Sequence, residues 1–306
     1  MSEKKISISD NELLSELKKR FEQNKEAVDE LKRLNDELIN VNKKLEDSEA
    51  LKTHFISNIT NEIINPFTSI LALSKTILSV DKENWKKVIS MVALIHSEAF
   101  NLDFQLRNIF VAAKIEAGEI FPEIFKVDVV NLLESVVESF KYESRKKNVT
   151  VKFTFNNGSY SEADKIFKTD PEKVRLVISN LLSNAINFSF ENGIVEINAL
   201  REDKSIIISV KDYGVGISKE NHEIIFDRFK RLDSGINSLN RGHGLGLSVN
   251  KAIIDMLDGK ISIESELGKG SCFTIIIPES EEPVEGFASD ANETFFDTDA
   301  DGTELF

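Results

Sequence analysis

Cysteine is almost missing from this chain: Cys272 stands alone among 306 residues. A single thiol excludes an internal disulfide and fits a reducing compartment. No apolar run approaches the ~20 residues of a membrane helix. The charged start MSEKKISISD lacks the apolar centre of a signal peptide. Basic charge is in deficit, with 38 Lys and Arg against 52 Asp and Glu and a net charge of −14. That opposes nucleic-acid binding, because phosphate backbones need a basic face. These absences describe a soluble, cytoplasmic protein without a membrane span. Hydrophobic residues still make up 41%, enough for a packed core. The length allows two modest domains, or one domain with a long helical appendage.

Glycine and proline are absent from residues 10 to 56, which are rich in Glu, Lys, Leu and Asn. Leu31, Leu34, Leu38, Val41 and Leu45 follow at alternating steps of three and four. Leu13, Leu17 and Ala27 share their phase, interrupted by Arg20 and Asn24. This is the heptad pattern of a coiled coil. The phase continues into Phe55 and Ile59, so the first helix is expected to run past Pro66, with a kink there. Asn61 then lies beside the seam, on its flank. A second amphipathic helix is expected over 81–117, closed by Gly118. Two such helices make a hairpin that buries its apolar stripes best against a second copy, as a homodimer built on a four-helix bundle.

After Pro122 the texture changes. VVNLLESVVESFKYESRKK reads as one helix and VTVKFTF as an alternating strand. DPEKVRLVISNLLSNAINFS reads as a helix opened by Asp170, with Pro171 at its first position. Strands IVEINAL and SIIISVKDY follow, then glycine-rich loops, a helix over 244–257, and strands KISIES and CFTIIIP. Strands and helices in runs, without strict alternation, predict an α+β sandwich with helices on one face of a mixed sheet.

Lys and Arg vanish again from residues 279–306, which hold ten acidic residues. Such a tail reads as disordered. Phe287, Phe295, Phe296 and Phe306 could dock on a partner or be incidental. DTDADGTELF begins like a calcium loop, with Asp297, Asp299, Asp301 and Gly302 at matching offsets. A twelfth-position Glu is missing, and calcium binding carries little weight.

Three stretches carry chemistry. In NLLSNAINFS, Asn180 and Asn184 lie one helical turn apart on one face, where two amide oxygens can meet Mg²⁺ and its waters beside phosphates. In KDYGVGIS, Asp212 can accept from an exocyclic amine such as adenine's, and Gly214 and Gly216 permit a close approach that a Cβ would block. In RGHGLGLSV, Gly242, Gly244 and Gly246 open a helix whose free N–H groups can face phosphates. Each stretch alone is weak, since paired Asn are usually surface residues and a glycine run is often a turn. All three in this order, with strands between, are specific.

With these motifs in place the chain resembles a sensor histidine kinase. Residues 51–118 resemble the dimerisation and phosphotransfer hairpin. The following part, 119–278, resembles the ATP-binding domain of the Bergerat (GHKL) fold. The resemblance implies that Asn180 and Asn184 form the N-box, with Asn184 the Mg²⁺ ligand, and that Asp212 reads adenine. It implies that Gly242, His243, Gly244, Leu245 and Gly246 belong to the ATP lid, and that Phe226 and Phe229 in IFDRFKR pack that lid. One departure concerns phosphate. The family usually has Lys or Arg three residues after the second Asn, and here Asn187 stands there, leaving Lys230 or Arg241 to compensate.

The other departure is the nucleophile. The family's phosphoacceptor segment reads His-Glu-x-x-(Thr/Asn)-Pro, and this chain has Asn61-Glu62-Ile63-Ile64-Asn65-Pro66. In the family an imidazole attacks the γ-phosphate while the adjacent acid takes its other proton. A carboxamide nitrogen has its lone pair delocalised into the carbonyl and cannot do this. Of the four histidines, His54 lies seven residues before Asn61, about 10 Å along a helix and beyond reach of Glu62. Glu62 and Asn65 still resemble the family's phosphatase motif, in which the amide orients water against an aspartyl phosphate; an ordinary exposed Glu and an Asn preceding Pro66 fit equally well.

The reading is a dimeric pseudokinase of two-component signalling. It would bind ATP and Mg²⁺ without autophosphorylation, acting on a response-regulator receiver domain or on another histidine kinase. The alternatives are an active kinase whose His was exchanged for Asn61, transfer from the ATP domain to a partner's histidine, and a dimeric scaffold without nucleotide. No sensor domain precedes the coiled coil over residues 1–50, so the signal is expected from a separate protein docking there. Residues 279–306 form the last unit.

Overall fold

The computed structural model describes residues 10–80, 84–156, 161–227 and 244–282, excepting the side chains of 10–13, 44–59, 61, 62, 162 and 163. The start of the acidic tail is tied down, with Glu279 paired to Arg201 at 2.9 Å and Glu281 to Lys204 at 2.9 Å; from residue 283 on, with its four phenylalanines and calcium-like loop, it lies outside the described residues. The chain divides into a unit over residues 1–57 and a larger one over 58–306.

Helix α1 covers Asp10–Leu78 and contains Pro66. In the first unit Leu31, Leu34, Leu38 and Val41 are all exposed, so among the described residues the heptad stripe is uncovered. Ion pairs such as Arg20–Glu16 at 3.1 Å span single turns and contribute a few tenths of a kcal/mol each. In the second unit helix α2 covers Trp85–Ala117. It stops at Gly118, whose φ of 68° is left-handed and whose N–H returns to the Ile115 carbonyl, while Glu119 N reaches Lys114 O. Those two bonds satisfy carbonyls that the helix end would orphan. Among the described residues no helix is long and apolar enough to cross a membrane.

The α+β part opens with β1 (Phe125–Asp128) and α3 (Val129–Ser139). Asp128 caps α3 by accepting from Val130 N and Asn131 N, both at 3.0 Å. The expected single helix is broken here: α4 (Lys141–Lys146) starts anew after Phe140. The break is a packing event. The buried Phe140 ring sits edge-on to Phe100 and Phe104 of α2, centroids 5.3 and 5.8 Å away.

Next come β2 (Thr150–Phe155), the short α5 (Glu162–Lys165), β3 (Ile166–Thr169) and α6 (Pro171–Phe188). They are followed by β4 (Ile194–Glu202), β5 (Ser205–Asp212), two 3₁₀ turns at Lys219–Asn221 and Ile224–Phe226, α7 (Gly246–Met256), β6 (Lys260–Glu266) and β7 (Gly270–Pro278). The sheet order is β2-β4-β5-β7-β6, with β2 parallel to β4 and the other pairs antiparallel. A separate antiparallel pair, β1–β3, was not expected from the sequence.

Alternation sets the core. Ile197 and Ala199 of β4 pair with Val210 and Ile208 of β5, which pair with Phe273 and Ile275 of β7. All six are buried. Helices α3, α6 and α7 pack on the sheet and bring Leu133, Val177, Ile178, Leu181, Leu182, Ile253 and Ile254 to it. Each such side chain contributes roughly 1.5–3 kcal/mol by burial.

Candidate nucleotide site

The site is built around α6. Its N-cap Asp170 is buried and uses both oxygens: Oδ1 accepts from Lys173 N at 3.0 Å and Oδ2 from Glu123 N at 2.7 Å. Lys173 Nζ lies 3.0 Å from the same carboxylate, and Pro171 supplies the first helical position without needing a partner for an N–H. The helix start is thereby fixed in rotation, and with it the face carrying Asn180 and Asn184.

Asn180 is not a surface residue. It is 3% exposed, and its Nδ2 donates to Asn108 Oδ1 and Asn250 Oδ1, both at 2.8 Å, with a longer contact to the Gly246 carbonyl at 3.3 Å. Asn184, one turn on, is half-buried, and Asn187 is exposed, donating to Ser183 Oγ at 3.4 Å.

Asp212 ends β5 at 4% exposure. Its Oδ1 accepts from Gly214 N at 2.9 Å. Burial pushes its carboxyl above the usual aspartate range, opposed by backbone N–H groups of Gly214, Ser271 and Asp212 itself and by the charge of Lys147. The glycines after it serve the protein's own backbone. A Cβ on Gly214 would lie 1.9 Å from the Phe188 carbonyl oxygen, and one on Gly216 2.0 Å from the Glu266 carbonyl oxygen. Val215 is tied on both sides, its N to Phe188 O at 3.1 Å and its O to Gly268 N at 2.8 Å. The loop is clamped between the end of α6 and the β6–β7 turn, which holds Asp212 against α6.

On the third side, Gly244 has a φ of 69°, Leu245 is buried, and Gly246 begins α7. A Cβ on Gly246 would stand 3.3 Å from the Asn180 amide. Phe226 lies in a 3₁₀ turn that packs on α7. Phe229, Lys230, Arg241, Gly242 and His243 lie outside the described residues. The structure thus sets Gly246 against Asn180 in the middle of α6 and the loop after Asp212 against Phe188 at its end, with Asn184 between them along the helix.

Residues 169–281 match the family described as histidine kinase-, DNA gyrase B- and HSP90-like ATPases. The chain is 28% identical over 257 residues to the circadian input-output histidine kinase CikA of Synechococcus elongatus, covering 81% of this chain and 33% of that protein. It is 27% identical over 231 residues to the sensor histidine kinase RppB of Synechocystis, covering 75% and 50%.

The chain is similar to sensor histidine kinases, and its residues 169–281 match their ATPase family.

It spans between a third and a half of the length of these two curated relatives. Full-length ShkA in complex with AMPPNP shares the fold, at 22% identity and a TM-score of 0.52 over 76% of this chain and 46% of that one. The hairpin residues are less fully described. Asn61 and Glu62 belong to α1, with side chains outside the described residues, as does His54. Asn65 is exposed on the same helix. His96 is exposed on α2, and the His222 ring lies 3.3 Å from the Ile217 carbonyl oxygen.

Sequence reasoning missed two residues beside the nucleotide motifs. Lys147, which ends α4, donates its Nζ to the Asn187 carbonyl. Burial lowers its pKa while the Asp212 charge raises it, so the cation lies within the field of the Asp212 carboxylate. Nothing in KKNVT marks this, because the contact spans forty residues. Asn108 on α2 is the second. A lone Asn in an apolar helix gives no signal until the helix is docked.

Proposed function

We propose that this chain binds Mg-ATP between α6, the loop after β5 and the start of α7, and works in two-component signalling without phosphorylating itself at position 61. The observation carrying this reading is a buried carboxylate, Asp212, followed by a loop that packs on the end of the helix carrying Asn184. Asp212 Oδ1 accepts from Gly214 N, and the several lone pairs of a carboxylate leave capacity to accept from an exocyclic amine as well. Asn184 supplies an amide oxygen, and the start of α7 offers N–H groups with no partner inside the helix. The donors suit a hydrated Mg²⁺ completed by phosphate oxygens; among the described residues no cluster of three His, Cys, Asp or Glu provides another metal site. Bound Mg²⁺ would neutralise charge between phosphates. Lys230 or Arg241 would take over the phosphate contact absent at Asn187.

With nucleotide held, the chemistry stops at the acceptor. Asn61 cannot receive a phosphoryl group, so positioning by the nucleotide domain has no product. The working units are the coiled coil over 1–50, the hairpin over 51–118, the nucleotide domain over 119–278 and the tail. The chain acts as a homodimer: Leu71, Trp85, Ile89 and Val92 of the hairpin are exposed, Trp85 by 66%, and a second copy covers them. Incubation with γ-labelled ATP tests the reading, with Asn61→His in parallel. Label on the His variant alone is expected; label on both chains overturns it.

A second reading concerns Glu62 and Asn65. The exposure of Asn65 on α1 favours access by a phosphorylated receiver domain, where the amide would orient a hydrolytic water. Faster loss of phosphate from a receiver with this chain than with Asn65→Ala supports it, and equal rates exclude it.

A further inference from the structure

A carboxamide has a donating end and an accepting end, and the surroundings of Asn180 decide which faces where. Asn250 Nδ2 donates to the Val177 carbonyl at 3.2 Å, so its Oδ1 is left as an acceptor. Asn108 Nδ2 donates to the Phe104 carbonyl one turn back at 3.0 Å, so its Oδ1 is an acceptor too. Both oxygens lie 2.8 Å from Asn180 Nδ2. An amide flanked by two acceptors must present nitrogen to both. The reverse arrangement would crowd oxygens together where Asn108 is 6% and Asn250 0% exposed, leaving buried groups unpaired. The Asn180 oxygen is therefore turned the other way, beside Gly246 and the start of α7.

Two of these three residues belong to the nucleotide domain, but Asn108 belongs to the hairpin. We infer that Asn108 is a positioning residue for the nucleotide site: by accepting from Asn180 it turns the Asn180 oxygen toward the magnesium–phosphate end of a bound nucleotide. The inference rests on the Mg-ATP reading above. It links docking of α2 to magnesium-dependent binding, and the linkage is reciprocal, so bound nucleotide favours the docked hairpin. Asn108 is not what holds α2 in place. The Phe100 and Phe104 edges on Phe140, and Arg107 NH1 at 3.3 Å from Glu172, do that separately.

The test uses the full chain and AMPPNP, titrated by calorimetry with Mg²⁺ and with EDTA. In the parent, Mg²⁺ is expected to tighten binding. In Asn108→Leu, which lacks the acceptor, that tightening is expected to shrink by about fivefold or more, the low end of typical coupling between sites, with the EDTA affinity unchanged. Asn108→Asp keeps an accepting oxygen and is expected to restore the tightening. If the Leu chain fails to fold by circular dichroism, Asn108→Ala carries the same comparison. A parent-like Mg²⁺ effect in Leu or Ala overturns the inference while the Mg-ATP reading stands. So does an Asp variant no better than Leu, which reduces the role to packing. A parent that binds no nucleotide removes the reading itself and the inference with it.

Discussion

Lys147 donates its ammonium to the Asn187 carbonyl in the last turn of α6, joining the end of α4 to the helix that carries Asn180 and Asn184. The last carbonyls of a helix have no internal partner and carry the negative end of its dipole, so a cation suits them. Lys147→Met removes the charge and keeps most of the stem. Equilibrium urea unfolding of that variant is expected to show a loss of about 1 kcal/mol, and Lys147→Arg to recover most of it. No change in either variant would mean that the bond adds nothing to stability.

Asp212 is expected to give the proposed nucleotide site a pH dependence. Burial raises its folded pKa first of all, and backbone N–H groups and Lys147 only partly oppose this. The ionised form is the one that has lone pairs to accept from an amine. Affinity for AMPPNP is therefore expected to fall as pH drops, starting above the ~3.9 of an ordinary aspartate. In Asp212→Asn, Oδ1 stays with Gly214 N and an NH₂ group faces the amine. That variant is expected to lose about tenfold or more at neutral pH, one charge-assisted bond's worth, and to lose the acid limb of the profile. An unchanged profile would separate Asp212 from base recognition.

Gly214 is required by space, not by its φ. A Cβ there would meet the Phe188 carbonyl oxygen at 1.9 Å and Ser189 Cα at 2.8 Å, all main chain that cannot rotate away. Gly268 has a φ of 78° and nothing within 4 Å of a Cβ, so alanine costs only local backbone strain of about 1 kcal/mol. Gly214→Ala is expected to destabilise by clearly more, at least the ~1–3 kcal/mol of an overpacked site, and to weaken nucleotide binding as the Asp212 loop moves off α6. Urea unfolding of the two alanine variants side by side checks the order, and equal losses would contradict the clamp.

Period and capping made most of this fold legible. Ile206, Ile208 and Val210 alternate with Ile207, Ser209 and Lys211, so β5 and its buried face follow from the residues alone. Asp170–Pro171 announced the start of α6, and Gly118 the end of α2. The pair β1–β3 escaped because two four-residue strands, FKVD and IFKT, offer too few positions for a period to emerge. The break at Phe140 escaped because its cause lies on α2, some forty residues earlier. The site divides in the same way. Asn184, Asp212 and Gly246 sit in local motifs with spacing to read, whereas Asn108, Asn250 and Lys147 matter through contacts between distant segments.

The junction between α2 and α4 holds a carboxylate under strain of solvation. Glu143 Oε1 accepts from Ser97 Oγ at 3.3 Å, while the buried Oε2 has no partner among the described residues. Burial raises its pKa, with its own backbone N–H, Ser97, His96 and Lys146 acting in the opposite direction. A carboxyl whose folded pKa exceeds its unfolded one binds a proton more tightly when folded. Its stabilising effect is complete below the unfolded value of ~4.3 and is lost as pH rises through the folded value. At neutral pH the full penalty of a buried charge is therefore present. Glu143→Gln keeps an oxygen for Ser97 and removes the charge. It is expected to raise Tm at pH 7, by an amount that shrinks as pH falls and vanishes near pH 4, where the parent carboxyl is itself neutral. Thermal unfolding of both chains across that range decides it. A Gln variant that melts lower at pH 7, or a difference that ignores pH, would show that the Glu143 charge is well solvated at this junction.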